Sequence, residues 1–526
     1  MRRGAGTRAP LLLVLAASFI VALLLLPLAY LVVRVASGGR AFDILGESST
    51  WMLVWNTILL AVGVVVASTL VAVPMAWLVT RTDLPARRLW AAATAVPLVI
   101  PSYVAAFCLL GFFGPRGILA DVLGVEELPD VKGYWGALLA LTLATYPYVF
   151  LLTQAALRSL DPALDEAAHG LGESHARTFV RVTAPALRPA VGLGALLVVL
   201  YTFSDFGVVS LMDYDTLTRA IYIQYKSLFD RAPAATLALL LVALTAVALV
   251  IEYRTRQRGR LYRVGPGAAR PHAVVPLGRW AIPALAFCGS VVAVFLVLPA
   301  GVLGYWLVRG IANDRELGVP WSETLHSLEA SGLAAGVAVV AALPVALLAL
   351  RYPTATSRVL ERLSYAGNAL PGLVIALSLV FFSARYASPV YQTIALLVFA
   401  YVVRFFPQAL SGVESALERV NPRYEEAARG LGRGPLRTLG SVTVPLARSG
   451  VLAGAALVFL SAMKELPATL LLHPIGFETL ATEIWKLTQV GAYSQAAVPA
   501  LTLIVVSAPI LYLVTSDSRF EPRSSG

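Results

Sequence analysis

The chain has 526 residues, 58% of them hydrophobic against 13% charged, with a mean hydropathy of +0.77. That balance excludes a soluble or fibrous protein and describes a polytopic membrane protein. Its 40 Gly and 32 Pro are too few for a collagen-like or disordered chain and are tolerated by membrane helices. The net charge of +11 rests on 41 basic residues, of which only Lys132, Lys226, Lys464 and Lys486 are lysines. Val131, Tyr225, Met463 and Trp485 precede them, so the Gly-Lys pair of a phosphate-binding loop is missing. If ATP powers this chain, another subunit hydrolyses it. Cys108 and Cys288 each lie inside an apolar run, lipid-facing or packed, and support neither a disulfide framework nor a thiolate metal site.

The first apolar run, 9–33, follows Arg2, Arg3 and Arg8. It is longer than the roughly 7–15 residues of a cleavable signal core and reads as an uncleaved first helix. Runs at 48–80, 89–115 and 133–157 come next. In the loop 158–188, Asp161 and Pro162 supply an N-cap and a first-turn proline for a short helix that Gly170 can end. A second amphipathic segment then reaches Pro185, where the fifth span is expected to begin. That span, 189–212, carries Asp205, and 232–251 completes a set of six. An arginine-rich stretch, 253–279, reads as a cytoplasmic linker. Six further runs follow at 280–308, 330–350, 363–384, 386–403, 449–472 and 487–516, with Lys464 and Glu465 inside the fifth of these. The loop 414–448 repeats the earlier pattern with Asn421, Pro422, Gly430 and Pro445. A span needs about 20 residues, so the expectation is all-α with twelve transmembrane helices.

With the N-terminus inside, 28 of the 41 basic residues fall on or near one face, which satisfies the positive-inside rule. The basic excess is therefore topology and not nucleic-acid affinity. The segment EAAHGLGESHARTFVRVTAPAL from Glu166 returns from Glu426 as EAARGLGRGPLRTLGSVTVPLA, and 13 of 30 positions are identical between 160–189 and 420–449. Upstream, at a shift of 270, Pro74, Arg81 and Pro101 match Pro344, Arg351 and Pro371. The chain is thus expected to be two homologous six-helix halves, 1–252 and 280–526, related by an axis along the membrane normal. Both termini and the loops at 81–88, 158–188, 254–279, 351–362 and 414–448 are placed in the cytoplasm.

The repeated loop resembles the EAA loop of the permeases of ATP-binding-cassette (ABC) importers, in which Glu-Ala-Ala is followed by a Gly and, further on, a Pro. Glu166, Ala167, Ala168, Gly170 and Pro185 match it in the first half, and Glu426, Ala427, Ala428, Gly430 and Pro445 in the second. The resemblance implies that each loop docks on a separate ABC ATPase subunit, two copies in all, and transmits its closing to the membrane helices. YTFSDFGVVSL from Tyr201, DYDTLTRAIYIQY from Asp213, YVVRFFPQAL from Tyr401, KELPATLLL from Lys464 and GFETLAT from Gly476 are similar to the fused permeases of ferric-iron importers. That likeness implies a bacterial inner-membrane protein fed by an extracytoplasmic substrate-binding protein. The chain binds no cofactor of its own, and ATP sits on the partner subunit. Related fused permeases carry thiamine, polyamines or phosphonates. A major-facilitator carrier also has two six-helix halves, but it has no need of a repeated docking loop.

No catalytic triad, paired carboxylate or zinc spacing marks an enzyme, and no metal site is assigned to His169, His175, His272, His326 and His473. Trp51, Trp55, Tyr134, Trp135 and Trp306 read as interface anchors. Arg404 has Ala144 as its repeat partner and is expected to snorkel to the cytoplasmic surface, the alternative being a pairing with Glu465 that the spacing does not support. Asp205 and Glu465 occupy equivalent positions, about 24 Å up their spans at 1.5 Å per residue and hence in the outer part of the membrane. There they would flank a central path for a cation. The alternative is that each acid caps local structure, with Lys464 neutralising Glu465.

Overall fold

The computed structural model describes residues 9–39, 41–115, 117–227, 232–256, 274–314 and 317–517. Most of the expected linker, both extreme termini and His272 lie outside them. The main helices of the first half are α1 (Leu11–Gly38), α2 (Ser48–Arg81), α3 (Arg87–Ala95), α4 (Ser102–Phe113), α5 (Tyr134–Ser159), α6 (Pro162–Gly170), α7 (Ala184–Ser204), α8 (Gly207–Leu211) and α9 (Ala232–Arg256). In the second half they are α10 (Leu298–Ala312), α11 (Trp321–Arg351), α12 (Ala355–Ser364), α13 (Gly372–Tyr386), α14 (Ile394–Glu418), α15 (Pro422–Gly430), α16 (Val444–Met463), α17 (Pro467–Leu472) and α18 (Tyr493–Asp517). Among the described residues, eleven helices are long and apolar enough to cross a bilayer, and a bent pair counted as one span makes twelve.

Several spans differ from their charge-free runs. The run 363–384 is two helices, α12 and α13, bent by 101° at a break before Pro371. The run 89–115 breaks in the same place, at Pro101 between α3 and α4, because a proline disfavours helix at the residue before it. The tenth span is α14, not 386–403. The charge-free count stopped at Arg404, whereas the helix continues to Glu418 because that arginine is paired (see below). Neither fifth span begins at its proline. Helical turns start at His175 and Pro435 and run through a π-helical turn into α7 and α16. There the N–H of Ala184 bonds to the carbonyl of Phe179, five residues back, and that of Val444 to Leu439. The wider turn accommodates Pro185 and Pro445, which have no N–H to donate.

The halves exchange their first helices. α1 packs against α11, α12 and α13 of the second half, and the Tyr30 hydroxyl donates to the Phe381 carbonyl at 3.3 Å. In return, α10 lies on α4, with the Cys108 thiol 3.7 Å from the Pro299 carbonyl. Both cysteines are packed, not lipid-facing. Trp306 is also packed, 5.2 Å from the Tyr493 ring, and is no interface anchor, whereas Trp51, Trp55 and Trp135 are exposed as expected. Small residues allow close helix approach in the second half. A Cβ on Gly412 of α14 would lie 2.6 Å from the Cα of Gly454 on α16, a backbone contact of the kind that drives helix association where lipid offers no hydrophobic gain.

Candidate functional site

Two regions carry the chemistry, one at the basic end of the bundle and one between the halves. At the basic end, the expected caps are formed. Asp161 accepts the Ala163 N–H and Asn421 the Arg423 N–H, each at 3.1 Å, with a proline opening both α6 and α15. Both helices end at the expected Gly170 and Gly430, but the left-handed turn falls two residues later, at Gly172 (φ 84°) and Gly432 (φ 82°). Bonds from Glu173 N to Ala168 O and from Arg433 N to Ala428 O, each 3.1 Å, close the same capping loop in both halves. Beyond it, Glu173 pairs with Arg181 at 2.7 Å, while Arg433 donates to Ser441 at 2.7 Å. The same i, i+8 staple is thus built from different residues.

The repeated motif divides into two faces. Ala168 and Ala428 are buried against the chain's own helices, while Glu166, Ala167, Gly170, Glu426, Ala427 and Gly430 are exposed. A Cβ at Gly170 or Gly430 would meet nothing within 4 Å, so neither glycine is required by the fold itself. Gly170→Val and Gly430→Val are therefore expected to leave the thermal stability of the purified chain unchanged. Gly172→Val and Gly432→Val should lower it by about 1 kcal/mol each, since a β-branched residue resists positive φ. Differential scanning fluorimetry checks this, and equal effects at all four positions would count against it.

Sequence reasoning passed over the acid that holds the loop. Glu425, one residue before the motif and 6% exposed, accepts from Arg351 Nη2 at 2.9 Å and from Thr443 Oγ1 at 3.1 Å. It fixes α15 to the end of α11. The signal was present: Arg81 and Arg351 match at a shift of 270, and Asp165 stands opposite Glu425 at 260.

The second region is a cavity of about 440 Å³ lined by both halves. Ala144 and Tyr148 of α5 and Arg404 and Gln408 of α14 line it. Ala144 and Arg404 each stand ten residues into their helix, or about 15 Å, with a longer stretch remaining towards the basic end. The acids thus lie somewhat nearer the end of the bundle remote from the basic loops. α7 and α16 stop just before them. Asp205 accepts the Val208 N–H at 2.8 Å and the Ser102 hydroxyl, and so starts α8. Glu465 accepts the Ala468 N–H at 3.1 Å and so starts α17. The acids that were expected to sit within crossing helices are capping residues at helix breaks.

Arg404 does not snorkel. Its Nη1 donates to Glu465 Oε1 at 3.0 Å and its Nη2 to Ser204 Oγ at 2.8 Å, the latter across to the first half. Lys464 Nζ likewise reaches over, to the Leu98 carbonyl at 2.9 Å, so Arg404 and not Lys464 neutralises Glu465. At the two-fold-related positions stand Ala144 for Arg404, Ser204 for Lys464 and Ser102 for Gly372. The exchange is concerted. A Cβ on Gly372 would overlap the Arg404 guanidinium, so the second half gives up the serine donor and receives an arginine donor in its place.

His326 stacks on Phe477 and bonds to the Glu478 carbonyl at 3.0 Å, and His473 bonds to the Pro474 carbonyl. Among the described residues, no group of three or more His, Cys, Asp or Glu side chains is arranged to hold a metal ion.

Two copies of one fold, each with a capped loop at the basic end, now stand beside the sequence comparisons. Residues 68–260 and 335–519 both match the family described as binding-protein-dependent transport system inner membrane component. The chain belongs to this family. A Fe(3+)-transport system permease protein of Haemophilus influenzae is 33% identical over 499 residues, covering 93% of this chain and 95% of that protein. A ferric transport system permease protein of Actinobacillus pleuropneumoniae is 24% identical over 507 residues, covering 91% of this chain and 73% of its own length. A sulfate transport system permease protein of Escherichia coli is 27% identical over 243 residues, covering 44% of this chain and 84% of its own length. The permease is thus a fused, two-domain inner-membrane component of a binding-protein-dependent importer, and not a carrier of the major-facilitator type.

Proposed function

We propose that this permease moves ferric iron, delivered by an extracytoplasmic binding protein, on the energy of ATP hydrolysed by two copies of a separate ABC ATPase subunit. One observation carries the ATPase part: the same capped loop, with the same exposed Glu-Ala face, is built twice at the basic end. The ferric part rests on likeness along nearly the whole chain to two permeases named for ferric transport. Glu166, Ala167, Gly170, Glu426, Ala427 and Gly430 are the contacts offered to the ATPase. Ala168, Ala428, Pro185 and Pro445 seat the loops on the bundle, and Asp205 and Glu465 flank the path. Thiamine, polyamine and phosphonate cargoes remain the alternatives within this class. Initial-rate uptake of radiolabelled iron in cells carrying or lacking the permease tests the proposal. Uptake should vanish when ATP is depleted with the proton gradient intact. Iron uptake that follows the proton gradient and ignores ATP would sink it, and so would the absence of any permease-dependent iron uptake.

The same reading places the basic end and both termini in the cytoplasm. With Cys108 and Cys288 replaced, single cysteines at positions 172 and 432 are expected to resist a membrane-impermeant maleimide in intact cells and to react after lysis. Strong labelling from outside would invert the topology.

A further inference from the structure

The cavity between the halves holds two acids, yet it is poorly built to strip and coordinate a bare trivalent cation. Asp205 has both carboxylate oxygens engaged, by Val208 N–H and by Ser102. Oε1 of Glu465 already takes two donors, from Arg404 and Ala468. The Arg404 guanidinium and the Lys464 ammonium match the two carboxylates in number, so the lining carries no net negative charge. A hard trivalent ion seeks several free anionic oxygens, and here Oε2 of Glu465 is a single carboxylate oxygen left without a donor among the described residues.

What the lining offers instead is donors. Lys464 spends one of its three N–H groups on the Leu98 carbonyl. Tyr103 is 3% exposed, lines the same cavity, and its hydroxyl has no hydrogen-bond partner. A buried hydroxyl without a partner costs stability, which is the signature of a group kept for something that comes and goes. Both basic groups belong to the second half and replace neutral residues of the first, so the asymmetry adds positive charge and donors to the path.

We propose that the cavity is a transient cargo site for a ferric ion that still carries oxyanion ligands, of carboxylate or phosphate type. The Lys464 ammonium and the Tyr103 hydroxyl hold that oxygen shell. Asp205 and Glu465 act by shaping the site and positioning Arg404, not as ligands of the metal. The inference rests on the ferric-iron reading.

The test is iron uptake at matched expression, in right-side-out vesicles supplied with ATPase and binding protein. Removing a hydroxyl that bonds to nothing in the protein leaves the fold intact. Tyr103→Phe is therefore expected to keep or raise thermal stability while slowing uptake about fivefold, the equivalent of one neutral hydrogen bond. Lys464→Met should slow it by about tenfold or more, a charge-assisted bond being stronger, and Lys464→Arg should recover part of the rate. If Lys464→Met does not reach the membrane, Lys464→Gln serves instead. A path for the bare cation gives the opposite sign, because removing a positive charge then leaves uptake unchanged or faster. Iron offered as a complex with labelled phosphate or labelled citrate separates the two oxyanion sources, since the anion that travels should accumulate with iron. Iron uptake that is normal in Tyr103→Phe and not slowed in Lys464→Met overturns this inference alone. A wild-type permease that takes up no iron overturns the ferric reading, and this inference with it.

Discussion

Glu425→Gln is expected to reduce ATP-driven uptake at least tenfold while the permease still inserts in the membrane. Arg351 and Glu425 form a largely shielded pair at 2.9 Å, with side chains 19% and 8% exposed. Removing one member of such a pair leaves the other charge uncompensated, at a cost of about 3 kcal/mol. The functional loss should exceed the loss of stability, because the pair ties α15 to the end of α11 and the Thr443 bond ties it to the turn that leads into α16. α11 in turn packs on α14 and α16, so a push on the loop reaches the helices that line the cavity. The double reversal, Arg351→Glu with Glu425→Arg, should recover part of the coupling. Uptake per molecule and ATPase stimulation, measured on the same preparations, check this. Wild-type coupling in Glu425→Gln would show that α15 needs no such anchor.

The two path acids should respond unequally to neutralisation. Glu465→Gln removes the partner of Arg404, whose side chain is only 20% exposed. It is expected to slow uptake at least tenfold and to destabilise the permease by about 3 kcal/mol. Asp205→Asn faces no such partner, and Asn starts a helix about as well as Asp. Its uptake should fall several-fold with little change in stability, and the double change should be worse than either. Arg404→Met added to Glu465→Gln should restore stability without restoring transport, because two neutral side chains leave no charge stranded. Thermal unfolding and uptake together decide it. Equal losses for the two acids, or normal uptake in the double variant, would remove the asymmetry from the mechanism.

Whatever depends on neighbours along the chain was legible in the residues. Hydrophobic length counted twelve spans, arginine asymmetry marked the basic end, and a fixed shift of 260 exposed the duplication and both docking loops with their Asp161 and Asn421 caps. These are local or periodic signals, carried by backbone donors and by the cost of charge in lipid. Charge-free counting failed where a charge finds a partner far away in sequence. Arg404 ended a predicted span because its partner, Glu465, is 61 residues on, and only packing brings the two within 3.0 Å. Lys464 was set against its sequence neighbour, yet it bonds to Leu98, 366 residues away in the other half. Glu425 was overlooked beside the more familiar Glu426 because its meaning depends on Arg351, 74 residues earlier. The exchange of first helices and the breaks at Pro101 and Pro371 belong to the same class. An apolar stripe or a proline shows that a helix is buried or bent, but which half it is buried against, and what the bend faces, is decided by the packing of both halves together.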